Sequence, residues 1–290
     1  CFMRKKKINI STIILVIVFL VGLSVMLYPA VSNYLNTRNQ KREIVNYNNI
    51  LNSMDDSEYE KMLKKAQKYN DELKQIYSPL DNYDLVSGYE DVLDVTGTGI
   101  MGYVTIPKID VELPIYHGTS DAVLNIAVGH VQGSTLPIGG DSTHSVISAH
   151  RGLPSATLFS DLDKLEEGDT FTVTVLNDVL TYEVKKIQII EPDDIRKLVI
   201  VDGKDYVTLV TCTPYGINTH RLLITGERTE TNKSSSLRVS ADAVRIEPII
   251  VAPIIAIPIL IVLLITIAHY DKGNRKKSKG GDTCEGKKNS

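Results

Sequence analysis

The chain has 290 residues, a composition ordinary for a folded protein and a formal net charge of −3 at pH 7. This length fits one sizeable domain or two small ones, and the charge argues against a nucleic-acid partner, which needs a basic surface. The first local feature is an apolar run from Ile8 to Tyr28, preceded by basic residues from Arg4 to Lys7. About 20 such residues cross a bilayer as a helix, and the basic flank predicts a cytoplasmic segment at residues 1–7. The alternative is a cleaved signal peptide.

A second apolar run lies near the other end, from Ile249 to Ala268, and basic residues follow it from Lys272 onward. It predicts a second transmembrane helix at residues 249–269 and a cytoplasmic basic tail at residues 270–290. A buried core helix is the alternative. With both termini in the cytoplasm, everything between the two spans lies outside the cell membrane.

The outside segment divides into a helical arm, a loop and a β-rich part. Residues 29–76 are polar and carry two apolar stripes at helical spacing, which predict two amphipathic helices broken near Asn52 and Ser53. These helices either pack on the rest of the domain or form a solvated stalk above the membrane. Residues 77–98 read as a loop, and a Thr/Asn/Ser-rich linker to the second span occupies residues 229–248.

Residues 99–228 are dominated by short alternating or β-branched runs separated by turn residues, which predicts a mostly β domain built as a barrel or a sandwich. Short helices are expected at Asp121–Ile126 and Ala156–Leu162. The predicted strands lie near 102–107, 111–116, 145–148, 170–175, 180–190, 206–211 and 221–225.

Cys212 is the one cysteine in the outside segment, so it has no partner there for a disulfide. It ends a predicted strand and is followed by Pro214 and Gly216, which places it beside a loop that substrates can reach. A thiol of ordinary pKa, about 8.5, is mostly protonated near neutral pH and needs a partner to react. A buried small hydrophobe and a reactive thiol are therefore both open interpretations at this point.

His150 and Arg221 are the candidate partners of that thiol. His150 also ends a predicted strand, and an imidazole can transfer protons in either direction near neutral pH. Arg221 begins the strand that follows the loop after Cys212, and its guanidinium could stabilise a developing oxyanion. Taken singly, each is more often a structural or surface residue, and spacing alone does not decide.

The other histidines give weaker signals. His130, His144 and His220 have no metal-ligand spacing, so no metal and no cofactor is predicted. His220 adjoins Arg221 and could shape the site. His117 and His269 are expected to be structural.

Three long motifs resemble those of the sortase family. Thr208–Arg228 resembles the segment around the active cysteine, Thr143–Pro154 the segment around the active histidine, and Gly99–Ile109 the first barrel strand. The resemblance runs from about Tyr69 to Arg228 in the family's order. It implies a closed eight-stranded β-barrel with Cys212 as nucleophile, His150 as general acid/base and Arg221 as oxyanion stabiliser.

The sequence Cys-Thr-Pro-Tyr-Gly and the two predicted anchors are similar to class C, the pilus-polymerising sortases. That class usually has a lid in which an Asp pairs with the catalytic Arg and an aromatic residue covers the cysteine. The matching place here holds Asp81 and Tyr83, with Asn82 where the common lid has proline. Because proline stiffens a loop, we expect a lid that opens more readily. An ordinary loop Asp and Tyr is the alternative.

The resemblance implies a membrane-bound cysteine transpeptidase that cleaves a Leu-Pro-any-Thr-Gly (LPXTG)-like sorting signal between Thr and Gly. The thioacyl-enzyme would pass to the lysine amine of a pilin. The first alternative is a sortase that anchors single surface proteins to a peptidoglycan precursor. A plain cysteine protease and a non-catalytic surface binding module also remain open.

Overall fold

The computed structural model describes residues 10–230, in which the stretch through Val31 belongs to one compact unit and the stretch from Ser32 to another. The first helix, α1, covers Ile10–Ser53. Its apolar N-terminal part is long and hydrophobic enough to cross a membrane and is not buried against protein. This suggests membrane anchoring. The second predicted span, its basic tail and nearly all of the predicted linker lie outside the described residues.

In the second unit, helix α1 ends at Ser53 and a second helix, α2, covers Asp56–Lys74. Together they form the predicted arm. The carboxylate of Asp55 accepts a hydrogen bond from the backbone N–H of Glu58, which caps α2 at its start. One stripe of each helix is buried: Ile44, Tyr47, Leu51, Ala66, Tyr69 and Leu73. All of these except Ile44 belong to the main core of the domain. The helices therefore pack on the β domain and are not a solvated stalk.

Tyr47 shows how tightly the arm is attached. Its hydroxyl donates to the carbonyl oxygen of Met101 at 3.1 Å and accepts from the backbone N–H of Leu176 at 2.7 Å. Both bonds are buried, so each satisfies a polar group that water cannot reach. Burial raises the pKa of Tyr47 well above its ordinary value, so the hydroxyl stays protonated.

Eight strands within residues 10–230 form one closed barrel in the order β1-β2-β3-β4-β7-β8-β6-β5, which confirms the predicted closed eight-stranded fold. Two neighbouring pairs, β2 with β3 and β4 with β7, are parallel. The strands are β1 (Ile100–Ile106), β2 (Val111–His117), β3 (Val128–His130), β4 (Thr143–Ser148), β5 (Thr170–Val175), β6 (Asp178–Ile190), β7 (Asp205–Thr213) and β8 (His220–Arg228).

Strand β7 has two different faces, as the period of two along a strand requires. Val207 and Leu209 point into the main core of the barrel. Val210 belongs to a separate apolar cluster with Val146 and Leu223 on the opposite face. The barrel wall thus has a second buried face at β4, β7 and β8.

One of the two predicted short helices is present, as α3 over Asp121–Leu124. The helix predicted at Ala156–Leu162 is wrong. Leu158 adopts φ +42°, a left-handed conformation that interrupts a helix, and the backbone N–H of Phe159 bonds the carbonyl oxygen of His150. The apolar residues there are buried as a compact irregular loop, followed by a short 3₁₀ turn at Leu162–Lys164.

Candidate active site

Cys212 and Arg221 lie directly opposite each other on neighbouring strands. The antiparallel ladder of β7 and β8 pairs Cys212 with Arg221, next to Thr213 with His220. Opposed residues in such a ladder have Cα atoms about 5 Å apart and point to the same face. The connecting turn is made by the N–H groups of Ile217 and Asn218, which both bond the carbonyl oxygen of Pro214. The Thr213–Pro214 peptide bond is cis.

His150 reaches the same place from the other side of β7. The parallel ladder of β4 and β7 pairs Ser148 with Val210, its last pair. One residue further, the N–H of Ala149 donates to the carbonyl oxygen of Val210 at 3.1 Å, and the hydroxyl of Thr211 donates to the carbonyl oxygen of Ala149 at 2.9 Å. The register therefore continues beyond the strand and brings His150 level with Cys212.

The three predicted site residues thus form a row across adjacent strands, His150 beside Cys212 beside Arg221. Each is partly exposed, so a substrate can reach it. Cys212 is a free thiol, and no other cysteine lies within residues 10–230. The row stands at one end of the barrel face that carries Val210. The β7–β8 ladder places Arg221 beside Cys212, and the hydrogen bonds of Ala149 that extend the β4–β7 ladder place His150 on the other side.

Arg221 keeps donors in reserve. Its Nη1 group donates to the carbonyl oxygens of Asn218 at 3.4 Å and His220 at 3.2 Å. Within residues 10–230, Nε and Nη2 make no hydrogen bond, and no carboxylate forms an ion pair with this guanidinium. Three N–H groups of a permanently charged side chain are therefore available beside the thiol.

An apolar floor adjoins the row on the same face. Sequence reasoning did not single out its six residues, although the alternation in β4 and β7 could have indicated some of them. Three are buried, and three partly buried residues pack against them, one at the end of β6 and two in connections. They are Val146, Val210 and Leu223, with Val131, Ile190 and Leu198.

Comparisons with known proteins point to one family. The sortase-domain family profile matches residues 104–229. The crystal structure of sortase C1 from Streptococcus agalactiae is 51% identical, with a TM-score of 0.60, and the match covers 66% of this chain and 100% of that chain.

The chain belongs to the sortase family.

A structure of Clostridium perfringens sortase C with the C-terminal cell wall sorting motif is 43% identical, with a TM-score of 0.57, over 65% of this chain and 98% of that one. Among curated proteins, Sortase D of Bacillus subtilis is 34% identical over 130 residues, which is 44% of this chain. This sortase spans 63% of the length of that relative. Both of these solved neighbours are C-type sortases, whereas the curated relative is a Sortase D.

The segment expected to be the lid of this sortase lies against the connection between β3 and β4. A Cβ built on Gly133 would meet the carbonyl oxygen of Pro79 at 2.6 Å and the Cα of Leu80 at 2.9 Å. The carboxylate of Asp81 accepts from the hydroxyl of Ser78 at 2.5 Å, and Tyr83 is 43% exposed. No ion pair joins Asp81 to Arg221 in the part of the chain that the structure describes, so the lid pairing stays a prediction.

His144 anchors the connection between β6 and β7, which contributes Leu198 to the apolar floor. Its Nδ1 lies 2.8 Å from the carbonyl oxygen of Val199, which can only accept, so Nδ1 carries the proton. Its Nε2 then accepts from the hydroxyl of Thr208 at 2.7 Å, and Thr208 bonds Thr225 at 2.8 Å. Burial lowers the pKa of His144, which favours this neutral form.

The remaining histidines of the described residues are held by single contacts or by the core. His130 is fully buried between the hydroxyl of Tyr89 and the carbonyl oxygen of Thr135, and burial lowers its pKa to about 4. The ring of His117 is bonded to the carbonyl oxygens of Val92 and Gly99. His220 faces Glu191 at 3.3 Å, at the edge of the site. No group of His, Cys, Asp and Glu side chains arranged for a metal ion occurs in residues 10–230.

Proposed function

We propose that this sortase is a cysteine transpeptidase in which Cys212 is the nucleophile, His150 the general acid/base and Arg221 the oxyanion stabiliser. The observation that supports it is the row made by the two ladders of β7, with β4 on one side and β8 on the other. A nucleophile, a proton carrier and a cation side by side are the parts that acyl transfer requires.

The first half of the reaction forms a thioester. The thiolate of Cys212 attacks the carbonyl carbon of the scissile amide, and the free N–H groups of Arg221 stabilise the negative charge that develops on the oxygen. The carbon–nitrogen bond then breaks, and His150 gives its proton to the departing amine. The products are the thioester on Cys212 and a free peptide whose N-terminal residue is glycine.

The second half transfers the acyl group. An incoming primary amine loses a proton to His150 and attacks the thioester carbon. The carbon–sulfur bond breaks, and Cys212 leaves as the thiolate. Because one amide replaces another, the reaction needs no external energy source and no cofactor.

The acyl donor is proposed to be an LPXTG-like sorting signal on a surface protein. The Clostridium perfringens relative has been solved with a cell wall sorting motif. The partly exposed members of the apolar floor, Val131, Ile190 and Leu198, offer a binding surface for the leucine and proline of such a signal. Cleavage would fall between threonine and glycine.

The acyl acceptor is proposed to be a lysine amine of a pilin, giving pilus polymerisation, because the solved neighbours are sortases of class C. Anchoring of single proteins to a peptidoglycan precursor is the alternative. We further propose that two membrane spans, at residues 8–28 and 249–269, hold the barrel outside the cell membrane with both termini in the cytoplasm. This arrangement suits substrates that are themselves held in the membrane until they are cleaved.

The test uses the chain in detergent micelles with a sorting-signal peptide and one amine at a time, a pilin-derived lysine peptide or a peptidoglycan-precursor amine. Mass spectrometry should find a thioacyl adduct on Cys212 and an amide product. The yield of that product should be higher with the lysine peptide than with the peptidoglycan-precursor amine. Cys212→Ala should abolish both, with Cys212→Ser as a near-isosteric second variant. Hydrolysis that dominates at high amine concentration would indicate a protease. Unchanged function in Cys212→Ala would indicate a binding module.

A further inference from the structure

Arg151, the residue after His150, is nearly inaccessible although it carries a charge. Its side chain is 7% exposed, and Nη2 forms an ion pair with the carboxylate of Asp163 at 2.5 Å. Its Nε donates to the carbonyl oxygen of Ser160 at 3.1 Å. A guanidinium bonded and buried in this way is well fixed, and it is too enclosed to donate to a substrate.

The exposed face of the same guanidinium is covered by Tyr215, three residues after Cys212. The Cζ atom of Arg151 lies 5.6 Å from the centroid of the Tyr215 ring, within the range of a cation–π contact. The ring also lies on Gly152, where an added Cβ would be 3.2 Å from it. Tyr215 is 62% exposed, and its hydroxyl has no hydrogen bond within residues 10–230. The contact is thus made by the face of the ring.

These contacts join the two loops that carry the reacting groups. The loop after β4 contains His150 and Arg151, and the loop after β7 begins at Pro214 and holds Tyr215. Ser160 and Asp163 lie further along this same connection between β4 and β5, beside the fully buried Phe159 and Leu162. Tyr215 then attaches the second loop to the first.

We propose that Arg151 and Tyr215 are positioning residues that clasp the β7–β8 loop to the loop of His150 and so fix the imidazole against the thiol of Cys212. This inference rests on the proposed transpeptidase function. A clasp supplements the ladder, because His150 lies two residues beyond its last pair and the hydrogen bonds that extend the pairing hold Ala149, the residue before it. A proton carrier that drifts by about 1 Å can cost roughly 100-fold in rate.

The chemistry of the clasp distinguishes its residues from simple packing. Arginine presents a flat cation that can pair with a carboxylate along its edge and stack on a ring with its face, whereas lysine offers only a point charge. Arg151→Lys should therefore loosen the clasp although the charge is kept. Tyr215→Phe should keep it, because the ring face is retained and the hydroxyl has no partner to lose.

The experiment compares Tyr215→Ala and Arg151→Lys with Tyr215→Phe in the chain in detergent micelles. Ile217→Ala is the matched control, since Ile217 lies in the same loop and is 68% exposed. The readouts are kcat and KM for the sorting-signal peptide, the thermal midpoint, and the rate of alkylation of Cys212 as a function of pH. Alkylation reports the thiolate directly and needs no substrate, so it works even if transpeptidation is not the function.

We expect kcat to fall roughly 10-fold to 100-fold in Tyr215→Ala and Arg151→Lys, with KM changed less than about 3-fold. The pH dependence of Cys212 alkylation should differ from the parent's in both variants, whereas Tyr215→Phe and Ile217→Ala should behave like the parent. An unshifted alkylation profile in both clasp variants would overturn the proposal. A lowered thermal midpoint with a parental profile would show a role in stability alone. If the clasp variants change the alkylation profile but the parent transfers no peptide, the proposed function is contradicted and the clasp is still supported.

Discussion

At the scale of single residues, the side chain of Arg221 uses only part of its hydrogen-bonding capacity. One nitrogen of Arg221 donates two long hydrogen bonds to carbonyl oxygens just before it in the chain. Its other N–H groups have no partner within residues 10–230. A guanidinium with weak bonds on one nitrogen and free donors on the others can bind the oxyanion, whose negative charge exists only during the reaction. Its role should therefore show in catalysis rather than in the reactivity of the thiol.

Arg221→Lys tests this division. The variant keeps the positive charge but loses the planar set of donors, so we expect kcat for peptide transfer to fall about 100-fold, the cost of losing one oxyanion donor. The rate of alkylation of Cys212 should stay within about 3-fold of the parent, because alkylation forms no oxyanion. The control is Arg42→Lys, an exposed arginine on α1. Equal losses of transfer and alkylation would contradict the assigned role.

At the scale of elements, the sequence predicted most strands because alternation and β-branched runs mark them locally. It missed β3, which has only three residues, Val128, Gly129 and His130, and pairs on both sides through contacts that no local pattern reveals. It wrongly made a helix of Ala156–Leu162, where apolar spacing reflects burial of an irregular loop. Propensity gives way to tertiary packing in both cases.

The residues of the site could likewise be predicted from local sequence, but their arrangement could not. Cys212, His150 and Arg221 could be named because each lies near the end of a predicted strand and the motifs around them are long. Their alignment in one row depends on the register of two ladders, one parallel and one antiparallel, which sequence spacing does not encode. The clasp of Arg151 and Tyr215 escaped for the same reason, since a buried arginine beside an exposed tyrosine has no sequence signature.

The proposed lid can be tested at its seat. In Gly133→Ala the new Cβ would collide with backbone atoms of Pro79 and Leu80, so the segment must move away. If that segment covers the thiol, alkylation of Cys212 should become several-fold faster in a time course with a thiol reagent. Gly88→Ala is the matched control, because Gly88 has a similar positive φ of +84°, against +93° at Gly133, but open space around it.

The side chains of the lid give an independent measurement. Asp81→Ala with Tyr83→Ala removes the acid and the aromatic residue that would pair with Arg221 and cover Cys212. The same time course should show faster alkylation in this double variant. Labelling at the parental rate in the double variant would sink the lid hypothesis, whatever Gly133→Ala does.

At the scale of the whole molecule, two buried histidines on strands of the barrel are held in the neutral form. His130 on β3 is fully buried, and burial holds its pKa near 4, against an ordinary value of 6.5. The carbonyl oxygen of Thr135 favours the proton, while nearby His117 disfavours it, and both effects are smaller than burial. His144 on β4 is shifted in the same direction by burial.

These shifts predict that the domain loses stability in acid. Between pH 6.5 and pH 4 the unfolded chain takes up a proton at residue 130 that the folded chain refuses, so the free energy of unfolding falls as the pH falls. Two and a half pH units at about 1.4 kcal/mol each give a loss on the order of 3 kcal/mol from His130 alone. The loss is complete near pH 4, where the folded form begins to accept the proton.

His130→Asn separates this titration from the packing of the same site. The amide oxygen of asparagine can accept the hydrogen bond of Tyr89, but the carbonyl oxygen of Thr135 loses its donor, so the variant should be less stable at pH 7 by about 1–3 kcal/mol. Denaturant titrations from pH 7 to pH 4, followed by circular dichroism, should show the parent falling more steeply than the variant until the two curves approach each other. Curves that stay parallel across this range would mean that His130 takes up its proton equally in the folded and unfolded chains.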